Sequence, residues 1–233
     1  MVIRVGIENN NDDRSIAWAL EHPGCFAYGS NALEAGKAMD RAAAEYAGWI
    51  QQHGMSWLSP DGLRVVVIET FDAYRIPRPQ PAPGQKPTMM VESFFHADVR
   101  PLSGTDVERA LKMLDWSRRD LLDVVKGLSD EQRNRVQPGE RWSINGILKH
   151  IAGAEWWYQE RIGSTFPERE EDLPPEPLEA LELVRAHFLT FLPKLSDVSQ
   201  MLKLEGEDWS PRKVLRRALW HERDHTQHIR KLL

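Results

Sequence analysis

The sequence predicts a two-domain chain, an N-terminal α+β domain followed by an all-α domain of four helices. Three observations carry that expectation. Apolar residues alternate with a period of two over the first seventy or so positions, then recur with a period near 3.6 from Thr105 onward. Between the two regimes lies PRPQPAPGQKPT, residues 77–88, whose five prolines suit neither an ordinary helix nor a central strand. Beyond it, successive apolar stripes begin at capping signals, the pattern of a four-helix bundle. The expected divisions are therefore 1–76 for the α+β domain, 77–101 for a proline-rich linker, and 102–233 for the helices.

Each element has a local cause. Ile3, Val5 and Ile7 alternate with Val2, Arg4 and Gly6 as a first strand, and the polar run from Glu8 to Asp13 predicts a turn. Ser15 to Leu20 reads as a second strand, closed by the turn signal His22-Pro23-Gly24. Cys25 to Tyr28 reads as a third. Asn31 and Glu34 have capping-box spacing, and Leu33, Met39, Ala43, Tyr46, Ala47 and Ile50 give the helix that follows its apolar face. LRVVVIETF, residues 63–71, is rich in β-branched residues and predicts a fourth strand. The order is β-β-β-α-β, and Val91 to His96 adds a short strand to the linker.

In the second half, Thr105 and Glu108 are spaced as a capping box, ahead of a stripe of Val107, Leu111, Leu114, Leu121, Val125 and Leu128. Ser143 caps a second helix with Ile144, Ile147, Leu148, Ile151, Tyr158 and Ile162 inward. Leu178, Leu181, Val184, Phe188, Phe191 and Leu192 mark a third, which Pro193 kinks or ends. Ser210-Pro211 is an N-cap followed by proline at the first helical position, opening the fourth. The loop GSTFPEREEDLPPEP, residues 163–177, reads as acidic and solvated, though placed to cover a site mouth.

Composition narrows the function classes. Charged residues make up 28% of the 233 and the formal net charge is -5, so nothing in the charge balance favours nucleic acid. Arg212, Lys213, Arg216 and Arg217 cluster locally and read as the solvated outer face of a helix. The single cysteine, Cys25, excludes an intrachain disulfide and suits a reducing cytoplasm, where it reads as a small packed residue. No apolar run approaches a membrane span, and the N-terminus has no signal-peptide pattern. The expectation is a cytoplasmic protein with neither membrane nor nucleic-acid partners.

The chemistry concentrates near the C-terminus. His221-Glu222-Arg223-Asp224-His225 places two imidazoles on one helical face, roughly 40° apart around the axis. They continue the stripe Val214, Leu215, Ala218, Ile229, Leu232, so they are inward and need partners. A zinc-protease reading, with Glu222 as base, is disfavoured. Such enzymes usually take a third ligand from downstream, and only eight residues follow His225. Glu222 is better assigned to the outer edge, near Arg223 and Arg216. The third ligand must then come from upstream. His150 borders the inner stripe of the second helix, where Gly153 and Ala154 leave room beside its ring. His150, His221 and His225 would fill three positions of a tetrahedral ion and leave the fourth open, the arrangement of a catalytic site. Imidazole ligands suit zinc, with nickel or copper able to compete. His228 extends the same face as a neighbour. Glu155 is the candidate for orienting a ligand histidine or transferring a proton, with a salt bridge to an arginine of the bundle as the alternative. Trp142, Trp157 and Trp220 read either as pocket walls or as plain core. His22, His53, His96 and His187 read as loop or surface residues.

Two resemblances follow from these residues. PGCFAYGSNALEA, Pro23 to Ala35, together with the β-β-β-α-β order, resembles the HicB-like domain. Arg141-Trp142-Ser143-Ile144, then Leu148-Lys149-His150-Ile151 and Glu155, resembles the second helix of the DinB/YfiT-like superfamily. VLRRALWHERDHTQHI, residues 214–229, resembles its fourth helix. Many members carry a histidine doublet where this chain has Asp224 and His225, and a glutamine where it has His228. The resemblance, over residues 102–233, implies a metal-binding bundle, frequent homodimers, a divalent ion (nickel or zinc), and transferase or isomerase activity with a small thiol co-substrate and an electrophile. The leading expectation is a divalent-metal-dependent thiol S-transferase. The alternative is a non-enzymatic, stress-associated binding or scaffold protein whose metal is structural or absent.

Overall fold

The alternation at the N-terminus becomes a strand with Ile3, Val5 and Ile7 buried beneath a helix. The computed structural model describes residues 1–78 and 87–233, so most of the proline-rich run expected as a linker lies outside the described residues. The chain divides into two compact units, Met1–Arg100 with Met201–Trp209, and Pro101–Gln200 with Ser210–Leu233.

The first unit holds β1 (Val2–Asn11), β2 (Arg14–Ala19), β3 (Phe26–Gly29), α1 (Ala32–Gln52) and β4 (Arg64–Asp72), which is the expected β-β-β-α-β order. The sheet order is β3-β2-β1-β4, with β1 and β4 parallel and the other pairs antiparallel. Two hairpins complete the unit, β5 (Tyr74–Pro77) with β6 (Thr88–Val91), and β7 (Leu202–Leu204) with β8 (Glu207–Trp209). Asn31 caps α1 by accepting from the Glu34 N–H, as its spacing requires.

Three expectations need correction here. The polar run from Glu8 does not turn the chain at once; β1 continues to Asn11. Glu8 is fully buried because its carboxylate accepts from Trp18 Nε1 at 3.0 Å, Ser93 Oγ at 2.7 Å and Asn11 Nδ2 at 2.9 Å. The reversal is made by Asp12 and Asp13, both at positive φ, a region Asp tolerates better than most residues. Leu33 is 66% exposed, while Met39 and Ala43 further along α1 are fully buried. The strand expected over Val91–His96 lies earlier, at β6, and His96 opens a 3-10 turn. Gly6 is required by that turn. A Cβ there would sit 2.6 Å from the Phe95 ring, which lies against the sheet face opposite α1.

The second unit holds α2 (Gly104–Val125), α3 (Asp130–Asn134), α4 (Ile144–Glu160), α5 (Pro177–Phe191) and α6 (Pro211–Leu232). Ser143 and Ser210 cap α4 and α6, and Pro211 takes the first position of α6. The box that starts α2 is Ser103 with Asp106, two residues before the expected Thr105 with Glu108. Asp106 also receives Arg212 at 2.7 Å, which favours the earlier start. α2 packs on α6, and α4 packs on both α5 and α6. Leu121, Ile147, Leu148, Ile151, Leu181, Val184 and Ile229 form a shared core. Each fully buried aliphatic side chain contributes about 1.5–3 kcal/mol.

The basic cluster on α6 is not a solvated face. Arg212, Lys213, Arg216 and Arg217 are all buried, as is every residue from Pro211 to Glu222. This buried stretch of α6 has no outer face for its charges, so they take local partners. Arg212 donates to the Pro101 carbonyl at 2.7 Å, and the Arg217 guanidinium lies over the Trp220 ring at 4.5 Å. No helix among the described residues is long and apolar enough to cross a membrane.

Candidate metal centre

Two helices bring three imidazoles together. His150 stands on α4, two turns after the Ser143 cap; His221 and His225 stand one turn apart on α6. Ring centroids are 4.7 Å apart for His150 and His221, 5.1 Å for His150 and His225, and 4.5 Å for His221 and His225. One nitrogen from each ring lies within 4.8 Å of the others, and Nε2 of His150 is 3.0 Å from Nε2 of His221. Neighbours hold the rings in place. Trp142 packs over His150 at 4.7 Å, in a fold-back that Gly146 permits, because a Cβ there would sit 3.1 Å from Trp142 Cβ. Tyr158 and Trp220 stand 6.1 and 5.7 Å from the ring of His221.

Electrostatics keep all three rings neutral. Burial lowers the pKa of His221 well below its ordinary value, and His225, His150 and Arg217 add to the effect. His225 is pushed down to about 4 by burial, then by His150 and His228. His150 is lowered by burial and by Arg141. Neutral rings offer lone pairs, the form in which imidazole binds a metal.

The donor set fits a divalent cation. Nδ1 of His225 is buried with no hydrogen-bond partner, a defect that costs about 1–3 kcal/mol. Two neutral imidazoles meeting through Nε2 can share only one proton. Nitrogen ligands at about 2.0–2.1 Å from a tetrahedral zinc lie roughly 3.4 Å apart, close to the spacing of His150 and His221. The three-histidine cluster is therefore compatible with a metal site.

The remaining candidates sit elsewhere. His228 Nε2 pairs with Glu140 Oε2 at 3.0 Å, with its ring 6.1 Å from that of His225. Gly153 does not open space beside His150; it accommodates the Glu170 carboxylate from the acidic loop, 2.8 Å from where a Cβ would stand. Burial, with Glu171 and Glu160 nearby, raises the pKa of Glu170. Glu155 is buried, and its carboxylate is held by Arg185 Nε at 2.6 Å and Arg118 Nη2 at 2.7 Å. Glu222 is not at an outer edge. It is 1% exposed and accepts from Arg118 Nε at 2.7 Å and Arg185 Nη2 at 3.0 Å. Burial pushes its pKa up, but Arg118 and then Arg185 more than offset this and hold it below the ordinary carboxylate value. Arg118 and Arg185 also donate to the carbonyls of Leu181 and Leu114.

This buried quartet ties α2, α4, α5 and α6 together; of it, the sequence offered only the pairing of Glu155 with an arginine of the bundle. The signal was present: each of the four charges falls at a stripe position of its helix, beside Leu114 and Leu121, Ile151 and Tyr158, Leu181 and Phe188, or Ala218 and Ile229. His187 was also misread as a surface residue. Gln159 spends its Nε2 protons on the carbonyls of Glu155 and Val184, so its Oε1 accepts from His187 Nδ1 at 2.8 Å, with Ser164 Oγ 3.4 Å from Nε2.

A family model of the DinB superfamily matches residues 113–229, half of the chain, running from within α2 to the last turns of α6. The match spans all three histidines. No curated protein matches the chain.

Proposed function

The chain belongs to the DinB superfamily, and on that premise we propose that it is a divalent-metal-dependent transferase that uses a small thiol co-substrate. In this reading α2, α4, α5 and α6 are the four helices of a DinB-like bundle, and the first unit is a HicB-like accessory domain. His150, His221 and His225 would hold zinc or nickel. The observation that carries the reading is the convergence of three neutral imidazoles, one of which, His225, has a buried ring nitrogen with no hydrogen-bond partner. A bound divalent ion supplies Lewis acidity, which lowers the pKa of a thiol brought to it.

The chain's own residues do the rest. Burial keeps the three rings deprotonated and ready to bind. Trp142, Tyr158 and Trp220 exclude water from one side and fix ring orientation. Glu155, first considered for proton transfer, acts in this reading as a positioning residue, because both its oxygens are committed to arginines. Cys25 is buried in the other unit, so the reacting sulfur comes with the co-substrate.

Metal analysis of protein purified without chelator tests the site. The expected result is stoichiometric zinc or nickel that disappears in the double variant His221→Ala/His225→Ala; metal content unchanged by that variant would sink the assignment. Turnover of chlorodinitrobenzene or monochlorobimane with bacillithiol, mycothiol or a related small thiol tests the activity. Stoichiometric metal with no turnover across such a panel would favour a structural metal in a binding or scaffold protein.

A further inference from the structure

β4 is an edge strand of the first unit's sheet. Its sequence, RVVVIETFD, is strongly β-branched, and Val67 and Ile68 are 46% and 51% exposed. Such an edge presents backbone donors and acceptors to any strand that can match it. The details of β4 specify what would match. Its pairing with β1 shifts between Val5 and Gly6, which face Val67 and Glu69, so Ile68 is an inserted residue. The insertion resets the alternation. Arg64 and Val66 face the same side as Glu69, opposite Val2, Arg4 and Gly6, whereas without the bulge Glu69 would point to the other face. The Glu69 carboxylate confirms its side by accepting the backbone N–H of His96 at 3.0 Å.

The backbone follows the same logic. Arg64 N–H bonds to Met1 O and Ala73 N–H to Asn9 O, so the groups of residues 64, 66, 69, 71 and 73 point toward β1. Those of Val65, the Val67–Ile68 pair, Thr70 and Asp72 point outward. Antiparallel pairing of β4 with an identical strand, about an axis at Val66, sets Val65 against Val67–Ile68 as a hydrogen-bonded pair. The same register sets Val66 against Val66, and Arg64 against Glu69, as non-hydrogen-bonded pairs, where side chains approach most closely. Opposite charges meet at both ends, like apolar residues meet in the middle, and the outward backbone groups of Val65 and the Val67–Ile68 pair find counterparts.

We propose that β4 pairs antiparallel with β4 of a second copy of this chain, joining two sheets into one continuous sheet through reciprocal Arg64–Glu69 contacts. The inference is independent of the metal centre and assigns the self-association surface to the first unit, not to the helices.

Sedimentation velocity of the full chain over a concentration series tests it, with thermal melts to verify folding. The expected result is a concentration-dependent dimer that weakens by at least about tenfold in Arg64→Glu and in Glu69→Arg, each of which sets like charges opposite one another. The double variant Arg64→Glu/Glu69→Arg restores it. The His96 contact is lost in both Glu69→Arg and the double variant, so recovery reports the charge pairing alone. Ile68→Lys alters a half-exposed position and separates copies without unfolding the sheet. A monomer at all concentrations overturns the proposal, as does a dimer indifferent to all of these substitutions, or a double variant no better than the single ones.

Discussion

His225 shows how burial decides the behaviour of a single side chain. Its pKa falls from 6.5 to about 4, and those of His150 and His221 fall as well. Between those limits the unfolded chain binds more protons than the folded one, so acid favours unfolding. The contribution to stability is full above about pH 6.5 and is lost progressively as the pH drops toward 4. Thermal melts of chelator-treated protein are expected to show a transition temperature that is level from pH 8 to 7 and declines from 6.5 to 4.5. A flat profile through that range would mean that the rings are not held neutral by the fold. The three histidines were legible because two lay one turn apart on an apolar stripe and the third bordered another. What their neighbours do was less legible. Glu222 reads as an outer-edge acid only if its place in line with Ala218 and Ile229 is passed over; what its helix could not show is that Arg118 and Arg185 reach it from elsewhere.

At the scale of elements, short-range chemistry was the most readable. Ser143 and Ser210 cap the helices their spacing assigned, and Asn31 does the same for α1. α2 offers a sharper test because two boxes compete two residues apart. Ser103→Ala is expected to cost about 1 kcal/mol, within the usual range for losing an N-cap, whereas Thr105→Ala, inside the helix, should fall within about 0.5 kcal/mol of the parent. Urea unfolding of the two variants separates them, and equal losses would place the cap elsewhere. The elements that escaped were those too short to set a period. α3 spans five residues, and β7 and β8 span three each around a Glu205-Gly206 turn with both residues at positive φ. Alternation over three residues is indistinguishable from chance, so only the Glu-Gly pair hinted at the hairpin.

At the scale of the molecule, the Arg118–Glu155–Arg185–Glu222 quartet sets the relation among four helices that no periodicity can encode. Arg185→Met leaves two buried carboxylates with one guanidinium between them. Removing one member of a buried ion network typically costs about 3–5 kcal/mol, and chemical denaturation should register a loss of that size. Glu155 and Glu222 reside on the helices that carry His150 and His221, so the same variant is expected to weaken metal retention in a chelator competition. A variant with parental stability would show that the guanidinium groups are replaceable by apolar volume. The order of the four long helices and the caps of α4 and α6 were legible; the full network was not, because its four members lie up to 104 residues apart and only folding brings them within 3 Å.

Cys25 is 4% exposed, with its sulfur against that of Met39, 3.8 Å away. Colorimetric reagents that report free sulfhydryls would therefore register almost nothing from the native protein. Consumption of an added thiol can be followed directly, without a background from the protein's own cysteine. A cysteine engineered onto the surface would be the one readily labelled position, giving a single attachment point for a dye or spin probe without first deleting the native residue.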